Sequence, residues 1–224
     1  MKLSIIIPVF NEARQLPCLF AGLLPLVRQG CEVIIADAGS EDGSAGIAAC
    51  AGFHVVQSPR GRARQMNAGA ACATGDVLLF LHADTRLPSG AGELVAQALL
   101  GGVSLWGRFD VCITGNPFML HVVGFFMNWR SRLTGIVTGD QAMFVARAAF
   151  DAVRGFPDQP LMEDIEISKR LRTLSRPACI RRRVTTSGRR WETRGVWHTI
   201  LLMWRLRWDY WRGIPAQQLV ETYQ

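Results

Sequence analysis

The apolar positions of this 224-residue chain fall into short blocks of two periods, and the alternation between them predicts the architecture. Residues 3–9, 32–36 and 77–81 are runs of β-branched and other apolar side chains bounded by turn residues, the pattern of buried strands, and residues 53–57 read as a further strand. Between the first two, residues 14–28 set Leu16, Leu19, Phe20, Leu23 and Leu24 at helical spacing. A short helix is predicted up to residue 51 and another up to about residue 73. The order β-α-β-α-β implies parallel strands joined by right-handed crossovers, the nucleotide-binding type of half-fold.

The second half reads less regularly. A helix is predicted over 89–100, a strand over 103–113, and a helix from Pro117 to residue 133. That helix carries Phe118, Phe125, Phe126 and Trp129, a face too aromatic to be left exposed, so it packs on the sheet or lines a site. Gly139 leads a loop into a strand, with Asp140 and Gln141 facing whatever the turn lets approach. A helix opens at Glu163, Asp164 and Glu166, and Ile167, Leu171 and Leu174 form its inward stripe. Residues 179–184 form a strand that runs into a basic-aromatic loop over 185–192. In the tail, Trp197, Leu201, Trp204, Trp208 and Trp211 recur at 4-3-4-3 spacing among arginines, which suits a membrane interface and equally suits packing on a domain or a dimer partner.

Length and composition predict one α/β domain, 1–224, with a Rossmann-like half over 1–86, a second half over 87–192 and an amphipathic helical tail over 193–224. The net charge of +7 is carried almost wholly by arginine, which suits phosphate or an anionic surface. The basic residues form no continuous stripe on a helix, so nucleic acid is not the expected partner. Six scattered cysteines without a C-x-x-C pair predict a reducing, cytoplasmic setting and small core side chains, not a disulfide or zinc scaffold. The longest uncharged run, 111–129, is interrupted by Gly, Asn, Pro and His and is too short in apolar length to span a bilayer, leaving a soluble or peripheral protein.

Candidate chemistry lies at the predicted carboxyl ends of strands, where open α/β sheets bind ligands. Asp84, after His82, follows the buried run 77–81; Asp37 follows the run 32–36. Each also has a plain reading, as a helix cap or a turn former. Arg60, Arg62 and Arg64 stand where a helix begins, a position poor for helix stability and good for an anion; we assign Arg64 to the ligand. Asp164 lies at the edge of an inward helical face, although first-turn acids are expected on helix-dipole grounds alone. With no glycine before Gly22, the G-x-G-x-x-G turn of classical NAD and FAD sites is missing.

Pro8-Val9-Phe10-Asn11-Glu12, the Asp37-x-Gly39-Ser40-x-Asp42-Gly43-Ser44 loop, Asp84 and Glu163-Asp164 together resemble the family-2 glycosyltransferases of GT-A fold, and Ser187-Gly188-Arg189-Arg190-Trp191 is similar to their Q-x-x-R-W element. The likeness covers roughly residues 3–191 and extends to a small bacterial subset of radical-SAM/selenodomain-associated transferases. The resemblance implies an α/β fold with a mostly parallel central sheet flanked by helices, and a metal-assisted inverting transfer of a sugar from a nucleotide-diphosphate sugar to an acceptor hydroxyl; it leaves the acceptor, a lipid or a small molecule, open. It implies that Pro8, Phe10, Glu12 and Asp37 shape the nucleotide pocket and that Asp164 is the general base. Asp84, with His82 in place of the usual first Asp of D-x-D, would hold Mg²⁺ or Mn²⁺. Asp140, Gln141, Glu163, Arg190 and Trp191 would face the diphosphate or the acceptor. The competing reading is a non-catalytic nucleotide-sugar-binding or scaffold protein of the same fold. The tail would contact the inner face of the membrane or form a homodimer.

Overall fold

The computed structural model describes residues 1–116 and 118–223; Pro117, where the sequence starts its second-half helix, and Gln224 lie outside the described residues. Eight strands form one sheet, β1 (Leu3–Val9), β2 (Glu32–Asp37), β3 (His54–Gln57), β4 (Val77–Phe80), β5 (Thr85–Arg86), β6 (Trp106–Thr114), β7 (Phe144–Ala146) and β8 (Ala178–Ser187). Their spatial order is β3-β2-β1-β4-β7-β6-β8-β5. β1 pairs in parallel with both β2 and β4, and β2 with β3. β7 runs antiparallel to β4 and β6, β8 is parallel to β6, and β5 is antiparallel to β8. Following the directions across the sheet, only β5 and β7 oppose the other six. The first four strands therefore deliver their following loops to a common edge.

Alternation along the strands fills both faces. Leu3, Ile5, Ile7 and Val9 of β1 point to one layer, with α1 (Leu16–Arg28), α4 (Ala91–Leu99) and α5 (Met119–Thr134). Ile6 points to the other, with α3 (Arg62–Cys72), α6 (Arg147–Ala152) and α7 (Glu163–Arg172). A crossover helix, α2 (Ser44–Cys50), joins β2 to β3. At the carboxyl end of the chain α8 (Arg189–Arg194), α9 (Val196–Trp211) and α10 (Ala216–Tyr223) follow β8. Leu206 of α9 and Leu219 of α10 pack on Met162 and Ile165 in a small separate cluster.

Three expectations are corrected. Residues 185–192 are not a loop: β8 continues to Ser187 and α8 follows, because Thr186 pairs with Thr85 and continues the ladder with Ile113. The cysteines are not core residues, since Cys18, Cys50 and Cys72 are exposed and Cys31, Cys112 and Cys179 are half-buried. The aromatic face of α5 does not pack on the sheet, to which α5 turns Leu120, Gly124, Asn128 and Ser131; Phe118 and Phe125 are exposed, while Phe126 and Trp129, also more than half exposed, take the other expected role and line a cavity.

Candidate functional site

A cavity of about 1720 Å³ opens at the carboxyl edge of the parallel strands. Small-ligand sites usually occupy ~300–1,000 Å³, so this one has room for two substrates at once. One wall comes from Pro8, Phe10 and Glu12 after β1, His82 and Asp84 after β4, and Arg60 and Arg62 at the start of α3. Glu163 and Asp164 at the start of α7 face it, with Asp140 and Arg190 nearby, and α5 and α9 close the far side.

The loops after β1 and β2 are stitched together by the polar side chains of the sequence motif. Asn11 sits in left-handed backbone (φ 55°), its N–H donating to Ser40 Oγ at 2.9 Å and its Oδ1 accepting from Glu41 N–H at 2.9 Å. Ser44 Oγ and Asp42 Oδ2 accept from the N–H groups of Glu12 and Ala13. Asp37 Oδ2 accepts from Gly39 and Ser40 N–H, so its turn-forming role is real. Its Oδ1 is nonetheless buried and has no partner among the described residues, which leaves one acceptor unsatisfied at a strand end. Buried Gln65 donates to the carbonyls of Val9 and Ala36, both at 2.8 Å, and clamps the ends of β1 and β2.

Charge concentrates at the head of α7. Met162 holds left-handed backbone (φ 64°) immediately before Glu163, a conformation that bulky residues adopt only when the surroundings fix it. Asp164 accepts from Gly139 N–H at 3.1 Å and Ile165 N–H at 2.8 Å, so two backbone amides orient its carboxylate. Burial, reinforced by Asp164, pushes the Glu163 carboxyl up to about 7. Across from them His82 Nδ1 meets Asp140 Oδ1 at 3.3 Å. The ring sits close against Gly139, where a Cβ would come within 2.4 Å of its Cε1 and Nε2. Burial works to raise Asp140, but His82, Arg62 and Arg190 together hold it below the usual carboxylate range. Arg62 is ringed by protein yet open to the cavity. Burial works against its charge, but Glu163, Tyr223, Asp140 and Asp164 raise it above its ordinary value. Arg190 stacks on the Tyr223 ring at 4.2 Å and donates to its hydroxyl, tying α8 to α10.

Of the residues singled out in the sequence, Pro8, Phe10, Glu12, His82, Asp84, Asp140, Glu163, Asp164, Arg190 and Trp191 converge on the cavity. Two do not. Arg64 points outward into a bidentate pair with Asp158 at 2.7 and 3.0 Å, both partners more than half exposed. Arg62 occupies the site instead, since it shares the inward helical face of Met66, Gly69 and Ala70 while Arg64 lies opposite. Gln141 is fully buried. It accepts from Thr138 N–H and donates to Ser131 Oγ, closing the turn rather than facing a ligand. Arg130, Arg207 and Tyr223 also line the cavity without a sequence signal of their own.

Among the described residues no three His, Cys, Asp or Glu side chains converge as a metal cage. Mg²⁺ and similar hard cations need only one or two carboxylates when substrate phosphates complete the shell, and Asp84 on the cavity wall fits as one such ligand. His82 Nδ1 is engaged by Asp140, so it is through Nε2 that this ring would meet a cation.

The sequence profile of Glycosyl transferase family 2 matches residues 4–154. An uncharacterized glycosyltransferase of Mycobacterium tuberculosis is 30% identical over 132 residues, 58% of this chain and 59% of that one. The chain thus spans under two thirds of that relative's length. Among solved structures, Staphylococcus aureus TarS in complex with UDP superposes with a TM-score of 0.68 at 17% identity, over 84% of this chain and 60% of that one. Glucosyl-3-phosphoglycerate synthase of M. tuberculosis, with Mn²⁺, UDP and glucosyl-3-phosphoglycerate, gives 0.62 at 18% identity, over 83% and 70%. These structures share the mixed α/β fold of a sheet flanked by helices, and none of the three carries the radical-SAM/selenodomain name.

Proposed function

Because this chain belongs to glycosyl transferase family 2, we propose that it moves a sugar from a nucleoside-diphosphate donor to an acceptor hydroxyl, with inversion at the anomeric carbon. The observation that carries this is the position of Asp164, oriented by two amides between the arginine-lined wall of α3 and the far wall of α5 and α9. Residues 1–86 would form the donor half. There Pro8 and Phe10, with Arg60 stacked on the Phe10 ring at 4.3 Å, flank the base, and the free Asp37 Oδ1 accepts from its N–H. Arg62 and Arg190 face the diphosphate, and Asp84 would hold Mg²⁺ or Mn²⁺ there.

Asp164 takes the proton from the acceptor O–H as that oxygen bonds the anomeric carbon. The bond from that carbon to the diphosphate breaks at the same time, and its electron pair leaves on the diphosphate. Arg62 and Arg190 are already in place to neutralise the developing charge. A bound divalent cation would add electrostatic stabilisation of the same leaving group. One carboxylate suffices for a single displacement.

Asp164→Asn keeps the volume of the side chain but removes the base. We expect sugar transfer to fall ~10²–10⁴-fold with nucleotide affinity nearly unchanged, read by radiolabelled transfer and by calorimetry with UDP and GDP. Normal turnover in this variant would defeat the assignment. Absence of turnover in both proteins, with nucleotide binding intact, would favour the non-catalytic reading.

A further inference from the structure

The far wall of the cavity carries two guanidiniums that the donor chemistry leaves unused. Arg130 of α5 and Arg207 of α9 both line it near Asp164 and lie close enough to repel each other. Arg130 Nη2 is buried without a partner among the described residues. Burial, then Arg207, pushes this guanidinium down to about 10. Asp164 favours the charge on both arginines but does not bond Arg130 Nη2; a buried donor left without a partner is costly, and an anion placed between the two guanidiniums would satisfy it.

Outward from these arginines the cavity becomes apolar. Phe126 and Trp129 of α5 and Trp204, Trp208 and Trp211 of α9 line it, yet each is between 53% and 75% exposed. The same side chains are both cavity wall and outer surface, and an exposed apolar face of this size marks an interaction site. Arg205 and Arg212 flank it, exposed. Its acid, Asp209, is occupied by Arg205 at 3.7 Å. A second copy pairing through this face would set these arginines against their own counterparts. An anionic bilayer surface meets both features at once: tryptophans at the headgroup level and arginines on the phosphates. No described helix is long and apolar enough to cross a membrane, so contact would be at the surface.

We infer that the acceptor is a lipid with an anionic headgroup, held by Arg130 and Arg207 with a hydroxyl toward Asp164, its chain leaving the cavity between α5 and α9 into the bilayer. The inference rests on the proposed role of Asp164, so its test runs without donor. Flotation of the full chain would be measured with phosphatidylcholine vesicles carrying either hexadecyl phosphate or hexadecanol, and with vesicles of the hydroxyl-free phosphatidylmethanol matched in charge to the first.

The full chain should bind the hexadecyl phosphate vesicles about tenfold more tightly than either of the others, a difference of about 1.4 kcal/mol. Arg130→Gln/Arg207→Gln should erase that preference, and Trp204→Ala/Trp208→Ala, at exposed positions that tolerate truncation, should abolish flotation from all three. Equal binding to the three vesicles, or flotation indifferent to both double variants, would overturn the inference. So would a concentration-dependent dimer in light scattering that the tryptophan variant dissolves, which would assign the face to a second copy. UDP binding by the same preparations shows that each variant is folded. Its loss in the parent chain, with vesicle binding intact, would instead count against the donor reading alone.

Discussion

Glu163 is the residue at which folding and chemistry pull against each other. Its carboxyl is 6% exposed and is pushed from its ordinary 4.5 to about 7, first by burial and then by Asp164. Below pH 4.5 the group is protonated folded or unfolded. Between 4.5 and about 7 the folded chain keeps a proton that the unfolded chain has released, so stability falls as pH rises, and the loss is complete above about 7. Glu163→Gln removes the charge that burial opposes. Thermal unfolding should show it several degrees more stable than the parent at pH 8 and equal to it at pH 4.5; an equal Tm at both would mean that the carboxyl titrates normally. At this scale the sequence was legible where a motif fixed both residue type and backbone, as at Asn11, Asp42 and Ser44. It misled where helical phase was left unread. Arg62 lies four residues before Met66, on the buried face, whereas Arg64 does not, and Thr138-x-x-Gln141 carries the signature of a capping box rather than of a ligand-binding pair.

Elements with one clear period, β1, β2 and β4 with α1 and α3, were readable almost to the residue, because burial on both faces or one leaves no other arrangement of those side chains; the edge strand β3, with no buried residue, was placed by its order in the chain. The second half was harder, since β5, β7 and α6 are too short to show a period and take their form from neighbours. Beyond the apolar cluster that Leu120 shares with Val111 and Ile113, what joins α5 to β6 is polar. Asn128 accepts from Val111 N–H at 2.8 Å and donates to Val111 O at 2.9 Å, behaving as a strand neighbour from within a helix. Fully buried Arg108 donates to Asp110 and to Asn128 O, and Arg132 donates to Asp110 from the other side at 2.7 Å. Asp110→Asn would leave Arg108 buried without a counter-charge, a loss of about 3–5 kcal/mol measurable by urea unfolding. Replacing both members, Arg108→Met with Asp110→Leu, should cost much less, and an equal cost for the two variants would refute the charge argument.

For the whole molecule, one cavity between a donor wall and an acceptor wall predicts that ligands stabilise the fold as a unit. UDP or GDP at ~100 times its Kd with Mn²⁺ should add about 2.7 kcal/mol. For a chain of this length that is a rise in Tm of about 5–10 °C. An undiminished rise in EDTA would remove Asp84 as a cation holder. The sequence indicated the donor wall, whose residues lie close to motifs, and offered the aromatic helix α5 as a site lining, but not its meeting with α9, some seventy positions further along the chain. The same wall supplies an optical property. Of the seven tryptophans, Trp129, Trp191, Trp197, Trp204, Trp208 and Trp211 all border the cavity, and Trp106 alone is sealed in the core. Intrinsic fluorescence from this chain therefore reports on its binding site rather than on its fold. Blue shifts, acrylamide quenching and energy transfer to a bound chromophore can follow occupancy without a label, against the constant background of one shielded indole.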